Sequence, residues 1–335
     1  MNNMLNEVAI AMGAPGRGIL AADESTGTIK KRFDSIGADC TETLRRDYRE
    51  MLFRTDAMKE NISGVILYDE TIRQKSEDGT SLINLIKAVG SIPGIKVDKG
   101  AHPLAGTEGE KITEGLDGLR ERLDEYYELG ARFAKWRAVI EISETMPSST
   151  CIQTNVHALA RYAALCQEAG IVPIVEPEIL MDGKHNIDTC FDVTEYVLKA
   201  LYDELFSQNV LLEGSVLKPN MVISGTKCRV QAGLDEVAEK TVLCLKRTVP
   251  AAVPSVVFLS GGQSDINATS HLNAMNAGYD FPWNLSFSYG RALQAAPLKA
   301  WGGNNDNFPA AQAAFSHRAR MNGLATTGAW GENLE

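Results

Sequence analysis

Eight short apolar runs recur along nearly the whole chain, each bounded by Gly, Pro or Asp. They are Gly18–Asp23, Ile62–Tyr68, Gly94–Asp98, Phe133–Ile140, Ile171–Ile179, Leu211–Pro219, Ser255–Gly261 and Asn284–Gly290. Each has the length of a strand, and most are rich in β-branched or aromatic residues. Between them lie longer segments with helical periodicity, among them Thr41–Arg54, Leu116–Leu129, Ile152–Ala169, Thr189–Ser207 and Leu234–Lys246. Strand then helix, repeated, makes the strands parallel, because the helix carries the chain back to the same end of the sheet. Eight strands are the number that closes a (β/α)8 TIM barrel. An open, doubly wound sheet fits this α/β pattern less well.

A helix around Asn3–Met12 and helices beyond Arg291, including Asn307–Asn322, fall outside the count, and the last dozen residues read as a tail. A prior of about 150 residues per domain suggests two domains for 335 residues. No low-complexity linker divides the chain, however, so one domain over 1–335 is expected. Its parts are an N-terminal helix in 1–16, the barrel in 17–300, and a C-terminal helix and tail in 301–335. Gly16-Arg17-Gly18-Ile19-Leu20-Ala21 matches the loose dinucleotide fingerprint, but it opens an apolar strand where the fingerprint needs a helix.

The formal net charge of −10 opposes sequence-independent binding to nucleic acid, which depends on neutralising phosphates. The six cysteines, Cys40, Cys151, Cys166, Cys190, Cys228 and Cys244, are scattered and form no C-x-x-C pair, which fits reduced thiols. The first residues carry Glu7 and no cation before Arg17, unlike a signal or transit peptide. No stretch suits a membrane span. A cytoplasmic protein is expected.

The informative residues are charges inside apolar runs. In a barrel, such residues near the C-terminal strand ends read as catalytic. Asp23 closes the first run and Lys96 lies in the third; Lys135 and Arg137 alternate in the fourth, Glu176 and Glu178 in the fifth; Lys218 ends the sixth. Spacing by two puts each pair on one face of its strand. Any one of these could be a structural ion pair, but on strands that must converge they form a cluster of opposite charges, the arrangement in which buried Lys and Glu persist.

Lysine in an apolar strand suggests Schiff-base chemistry with a carbonyl. Free lysine is only about 0.04% neutral at pH 7, so desolvation or a neighbouring cation must tune it. Either Lys135 or Lys218 can be the nucleophile, with the other as the tuning cation. Ser260-Gly261-Gly262-Gln263-Ser264 follows the seventh run and Ser288-Tyr289-Gly290-Arg291 the eighth, where this fold commonly binds phosphate. A weaker cradle, Ser25-Thr26-Gly27-Thr28 with Arg32 a turn on, follows the first.

These motifs resemble class I fructose-bisphosphate aldolase: LAADESTGTI (Leu20–Ile29), FAKWR (Phe133–Arg137), IVPIVEPEIL (Ile171–Leu180), VLKPNM (Val216–Met221), FLSGGQS (Phe258–Ser264) and SYGRALQ (Ser288–Gln294). Matching segments run from about residue 13 to 325. The resemblance implies that Lys218 forms the Schiff base, that Asp23 takes the C4-hydroxyl proton, and that Glu176 is the general acid/base with Lys135 and Glu178 as charged partners. It implies sugar-phosphate contacts at Lys96 and Arg137, a C1-phosphate site at Ser260, Gly261, Gly290 and Arg291, and a C6-phosphate site at Ser25 and Thr28. Thr28 stands where better-known members have serine, which keeps the hydroxyl.

The implied reaction is the reversible cleavage of fructose 1,6-bisphosphate to dihydroxyacetone phosphate and glyceraldehyde 3-phosphate, serving glycolysis and gluconeogenesis. No cofactor and no metal are expected, and His102, His157, His185, His271 and His317 form no recognisable ligand set. The family also suggests a homo-oligomer, a tetramer. The chain has no tyrosine after Tyr289, whereas the animal enzymes end in one that assists proton exchange on the enamine. Cleavage is expected to survive and that exchange to be slower or differently served. Rival readings are an aldolase acting on sedoheptulose bisphosphate, a metal-dependent aldolase, or a binding protein on the same barrel. The site residues expected to line the pocket sum to a formal +2 on an acidic protein.

Overall fold

The computed structural model describes residues 2–335. All eight runs are strands: β1 (Gly18–Ala22), β2 (Ile62–Leu67), β3 (Ile92–Lys96), β4 (Phe133–Ile140), β5 (Val172–Ile179), β6 (Val216–Leu217), β7 (Ser255–Phe258) and β8 (Asn284–Tyr289). They pair in parallel, each with its neighbour in sequence, and β8 returns to β1 to close the barrel. Gly16-Arg17-Gly18 therefore leads into β1 and not into a helix.

The ladder is shortest at β6. Of the run Leu211–Pro219, residues Leu212–Gly214 form a 3-10 turn, and only Val216 and Leu217 pair on both sides. Past the ladder the backbone stays fixed, since Lys218 N–H donates to the Val175 carbonyl (2.9 Å) and Leu259 N–H to the Pro219 carbonyl (3.1 Å). A two-stranded antiparallel hairpin, Ala101–Pro103 with Lys111–Thr113, and short helices at Ala57–Asn61, Asp69–Arg73 and Leu82–Ala88 have no counterpart in the sequence reading. Segments of three to seven residues are too short to display a period.

Period-two alternation explains how the barrel holds both a core and a site. On four strands one face reads apolar at its N-terminal end and charged at its C-terminal end: Ile19, Ala21, Asp23; Phe133, Lys135, Arg137; Val172, Ile174, Glu176, Glu178; Val216, Lys218. The apolar members form an inner core with Ile66 and Val257, and the helix Asn2–Met12 closes it from below with Leu5, Ala9 and Met12. Two serines pin that helix: Ser255 Oγ donates to the Ala9 carbonyl (3.0 Å) and Ser63 Oγ to the Met12 carbonyl (2.6 Å). Outward-facing residues build a second core against the surrounding helices, including Trp136, Tyr162, Phe258 and Phe287.

The helices Arg291–Trp301 and Phe308–Ala325 pack together at the C-terminal side. The last residues are more ordered than a loop. They end in a 3-10 turn at Glu332–Leu334, and the Glu335 side chain accepts from Trp330 Nε1 (3.0 Å) and pairs with buried Arg318.

Candidate active site

A cavity of about 410 Å³ opens at the C-terminal ends of the strands, a size suited to a small molecule. Every site residue predicted from the sequence lines it: Asp23, Ser25, Thr28, Lys96, Lys135, Arg137, Glu176, Glu178, Lys218, Ser260, Gly261, Gly290 and Arg291. Parallel strands in register deliver them together. Arg137 on β4 lies beside Glu176 on β5, and Lys96 on β3 beside Lys135 on β4.

Glu176 is the hub. Its Oε1 stands 3.2 Å from Lys218 Nζ and its Oε2 3.6 Å from Lys135 Nζ; all three side chains are 5% exposed or less. Lys135 Nζ also donates to Asp23 Oδ2 at 2.7 Å. Burial alone would discharge Lys135, but Asp23 and Glu176 overcome it and hold the ammonium well above the ordinary lysine range. Burial would likewise raise the Asp23 carboxyl; Lys135, then Lys218 and Lys96, bring it down to about 2. Lys135 is therefore a fixed cation between two carboxylates. The two lysines are thus unequal: among the described residues Lys135 has two carboxylate partners and Lys218 has one.

Arg137 pairs with Glu178, whose carboxyl burial pushes above its usual value despite the guanidinium. Lys96 Nζ binds Asp98 twice, at Oδ1 (2.9 Å) and at the backbone carbonyl (3.0 Å). Ser25 and Thr28 bring their hydroxyls within 3.2 Å of each other at the start of the helix Thr26–Asp34.

Two charged lining residues, Glu24 and Asp98, escaped the sequence reading. Glu24 is buried against Arg32 and accepts from Gln294 Nε2 (2.8 Å), while Arg49 donates to its backbone carbonyl (3.0 Å). Asp98 is buried under Lys96. Ser288 presents a buried hydroxyl with no partner among the described residues, free for a ligand oxygen. Asp98 had a legible signal, being two residues beyond Lys96 on the same face. Glu24 follows the end of β1, where strand alternation no longer predicts direction. With Arg32, Glu24 and Asp98 added, six cations meet five carboxylates, so the formal pocket charge is +1, not the +2 expected.

Two glycine-containing loops close one end of the cavity. Gly261 is needed because a Cβ there would lie 2.9 Å from Glu178 Oε1, and Gly262 takes φ +76°, which favours glycine. Arg291 Nη2 donates to the backbone carbonyls of Ser260 (3.2 Å) and Gln263 (2.5 Å). Among the described residues, no group of three or more His, Cys, Asp and Glu side chains is placed to hold a metal ion.

The family model for fructose-bisphosphate aldolase class-I matches residues 4–335. The chain belongs to the class-I fructose-bisphosphate aldolase family. As an aldolase of that family it is a lyase with a glycolytic role. It is 60% identical over 327 residues to a probable class 1 fructose-bisphosphate aldolase of Xanthomonas axonopodis pv. citri, spanning 97% of this chain and 98% of that protein. It is 56% identical to the cytosolic fructose-bisphosphate aldolase 6 of Arabidopsis thaliana, over 96% of this chain and 90% of that one. A Plasmodium falciparum aldolase, solved in complex with TRAP and a small-molecule inhibitor, superposes with a TM-score of 0.97 at 49% identity, covering 98% of this chain and 96% of its own. The aldolase barrel and the barrel expected from the eight runs are the same architecture.

Proposed function

We propose that this aldolase cleaves fructose 1,6-bisphosphate reversibly through an imine on Lys218. The carrying observation is the Glu176 carboxylate shared between Lys218 and a permanently charged Lys135. Glu176 Oε1 is within reach of the Lys218 proton, so the amine can be freed where it is needed. The Lys218 lone pair attacks the ketose C2, and Glu176 returns a proton to the departing hydroxyl as water leaves. The resulting iminium draws the C3–C4 bonding electrons toward nitrogen. The Asp23 carboxylate, ionised down to about pH 2, accepts the C4-hydroxyl proton as that bond breaks. Glyceraldehyde 3-phosphate departs; the enamine is then protonated at C3 and hydrolysed to dihydroxyacetone phosphate. The iminium is the electron sink, so this route uses no metal.

Phosphates would be held at opposite ends of the cavity. Arg291 with the Ser260–Gly261 and Gly290 loops takes the C1 phosphate, and Ser25 and Thr28 take the C6 phosphate. Lys96 and Arg137 reach the sugar phosphate between them, and Glu178 keeps Arg137 in position. The chain would act as one catalytic unit, with the N-terminal helix, barrel and C-terminal segments together. The cytosolic plant relative supports a cytoplasmic location. None of the described helices is long and apolar enough to cross a membrane. Homo-oligomerisation, as a tetramer, is proposed on the family resemblance.

Borohydride added with fructose 1,6-bisphosphate should trap a covalent adduct on the Lys218 peptide, retained in EDTA. Lys218→Met should abolish both adduct and turnover, by at least about 10³-fold. Full activity in that variant, or an adduct on Lys135, would sink the assignment.

A further inference from the structure

The cations of the pocket are not equivalent. Arg32, Lys96, Lys135, Arg137 and Lys218 each have a carboxylate within 4.0 Å: Glu24, Asp98, Asp23, Glu178 and Glu176 in turn. Among the described residues, Arg291 has none. Its guanidinium is exposed at the cavity wall and held by two backbone carbonyls. Carbonyl dipoles orient a guanidinium without cancelling its charge, so Arg291 keeps a full positive charge for an incoming anion. Its aim then depends on where the Ser260 and Gln263 carbonyls stand.

That loop is secured from behind. The Gln263 side chain turns away from the cavity into the protein, where its Oε1 lies 2.6 Å from His271 Nδ1. Both side chains are buried, and among the described residues Gln263 Nε2 has no partner, so there this one contact is all that anchors the amide. His271 belongs to the helix Asp265–Gly278, which begins directly after the loop with Ser264 as its cap. Burial keeps the imidazole neutral, with its titration brought down to about 4, so one ring nitrogen carries a proton for Gln263. Gly262, between the two carbonyls, packs so closely on Met181 that a Cβ would stand 2.5 Å from it.

We propose that His271 is a positioning residue for phosphate recognition. Through Gln263 it fixes the loop whose carbonyls aim Arg291 at the phosphate. The inference rests on the reading of Arg291 as a phosphate ligand. His271 touches no substrate and carries no step of the chemistry; it acts on binding alone. Losing the anchor lets the loop and Arg291 share several arrangements, only one of which binds, and apparent affinity falls by the competent fraction.

The test uses the full-length enzyme and inorganic phosphate as the probe. In His271→Leu, the dissociation constant for phosphate, read by titration calorimetry, should rise about tenfold. KM for fructose 1,6-bisphosphate should rise similarly while kcat stays within about twofold and borohydride still labels Lys218. His271→Asn, which can still donate to Gln263, should recover most of the affinity. Should Leu prove unfolded, Gln263→Met makes the same cut from the other side, and the same rise is expected. Phosphate binding unchanged in both variants, or kcat falling as far as KM rises, overturns the proposal. Arg291→Ala separates the two readings. If it leaves phosphate binding intact, the Arg291 site itself is wrong; if it abolishes binding while His271→Leu does not, only the role of His271 is.

Discussion

Asp23 and His271 are buried groups whose titration lies below their ordinary values for different reasons. Lys135 stabilises the Asp23 anion against the cost of burial, whereas burial alone disfavours the His271 cation. The consequence for stability has the same sign. In each case the unfolded chain binds its proton at a higher pH than the native one, so acid favours unfolding. The His271 contribution is complete above about pH 6.5 and is lost as pH falls toward 4; the Asp23 contribution is complete above about 3.8 and is lost toward 2. The Asp23 shift corresponds to about 2 kcal/mol. Denaturant unfolding followed against pH should therefore steepen in two windows. Asp23→Asn should remove only the lower one and His271→Asn only the upper one. A slope that survives in its matching variant would show the titration belongs elsewhere. At this scale the sequence was legible where charge interrupts an apolar strand, which is how Asp23, Lys135, Glu176 and Lys218 stood out. Glu24 and the inward turn of Gln263 were not legible. They lie in loops, where no period tells which way a side chain faces.

At the scale of elements, glycines decide how the inner core fits. Phe133 opens β4 with its ring inside the barrel, and register places it opposite Gly94 on β3. A Cβ on Gly94 would meet that ring at 2.3 Å, and one on Gly64 of β2 at 2.9 Å. The ring thus fills space left by two neighbouring strands. Gly94→Ala should force the phenyl off its rotamer or push β3 from β4, destabilising the enzyme by about 1–3 kcal/mol. Phe133→Leu should partly relieve Gly94→Ala, so that the double variant is more stable than additivity allows. Strictly additive losses in urea unfolding would mean the two positions do not compete for the same volume. The strands were readable because each carries β-branched residues between turn signals, and seven of the eight runs coincide with their ladders to within two residues at the N-terminal end and three at the C-terminal end. The sixth is the exception. Its residues Leu211–Gly214 look like a strand in composition but fold as a turn, since tertiary contacts with the N-terminal helix override local preference.

For the whole molecule, the opposition between an overall net charge of −10 and a pocket of formal charge +1, which leaves −11 on the rest of the chain, makes a claim about salt. A bisphosphate approaching from solution meets the repulsion of the whole surface first and the cations of the cavity last. The first term acts at long range, and the Debye length shrinks from about 30 Å at 0.01 M to about 8 Å at 0.15 M. The second acts at contact, behind walls that exclude most counter-ions, and is screened far less. Raising KCl over that range should therefore leave kcat/KM for fructose 1,6-bisphosphate unchanged or raise it by about twofold, the reverse of what a cationic surface would give. Sulfate at matched ionic strength should behave differently. It has the size and charge to occupy the Arg291 loops, so it should compete with substrate, raising KM without lowering kcat, and Arg291→Ala should abolish that difference between the two salts. Chloride and sulfate acting identically, or kcat/KM falling steeply in KCl, would place the recognition on the surface and not in the cavity. The partition follows from the fold. Strand ends gather six cations into one opening, while the rest of the chain carries the excess of carboxylates, so the field met on approach and the field met inside the cavity have opposite sign.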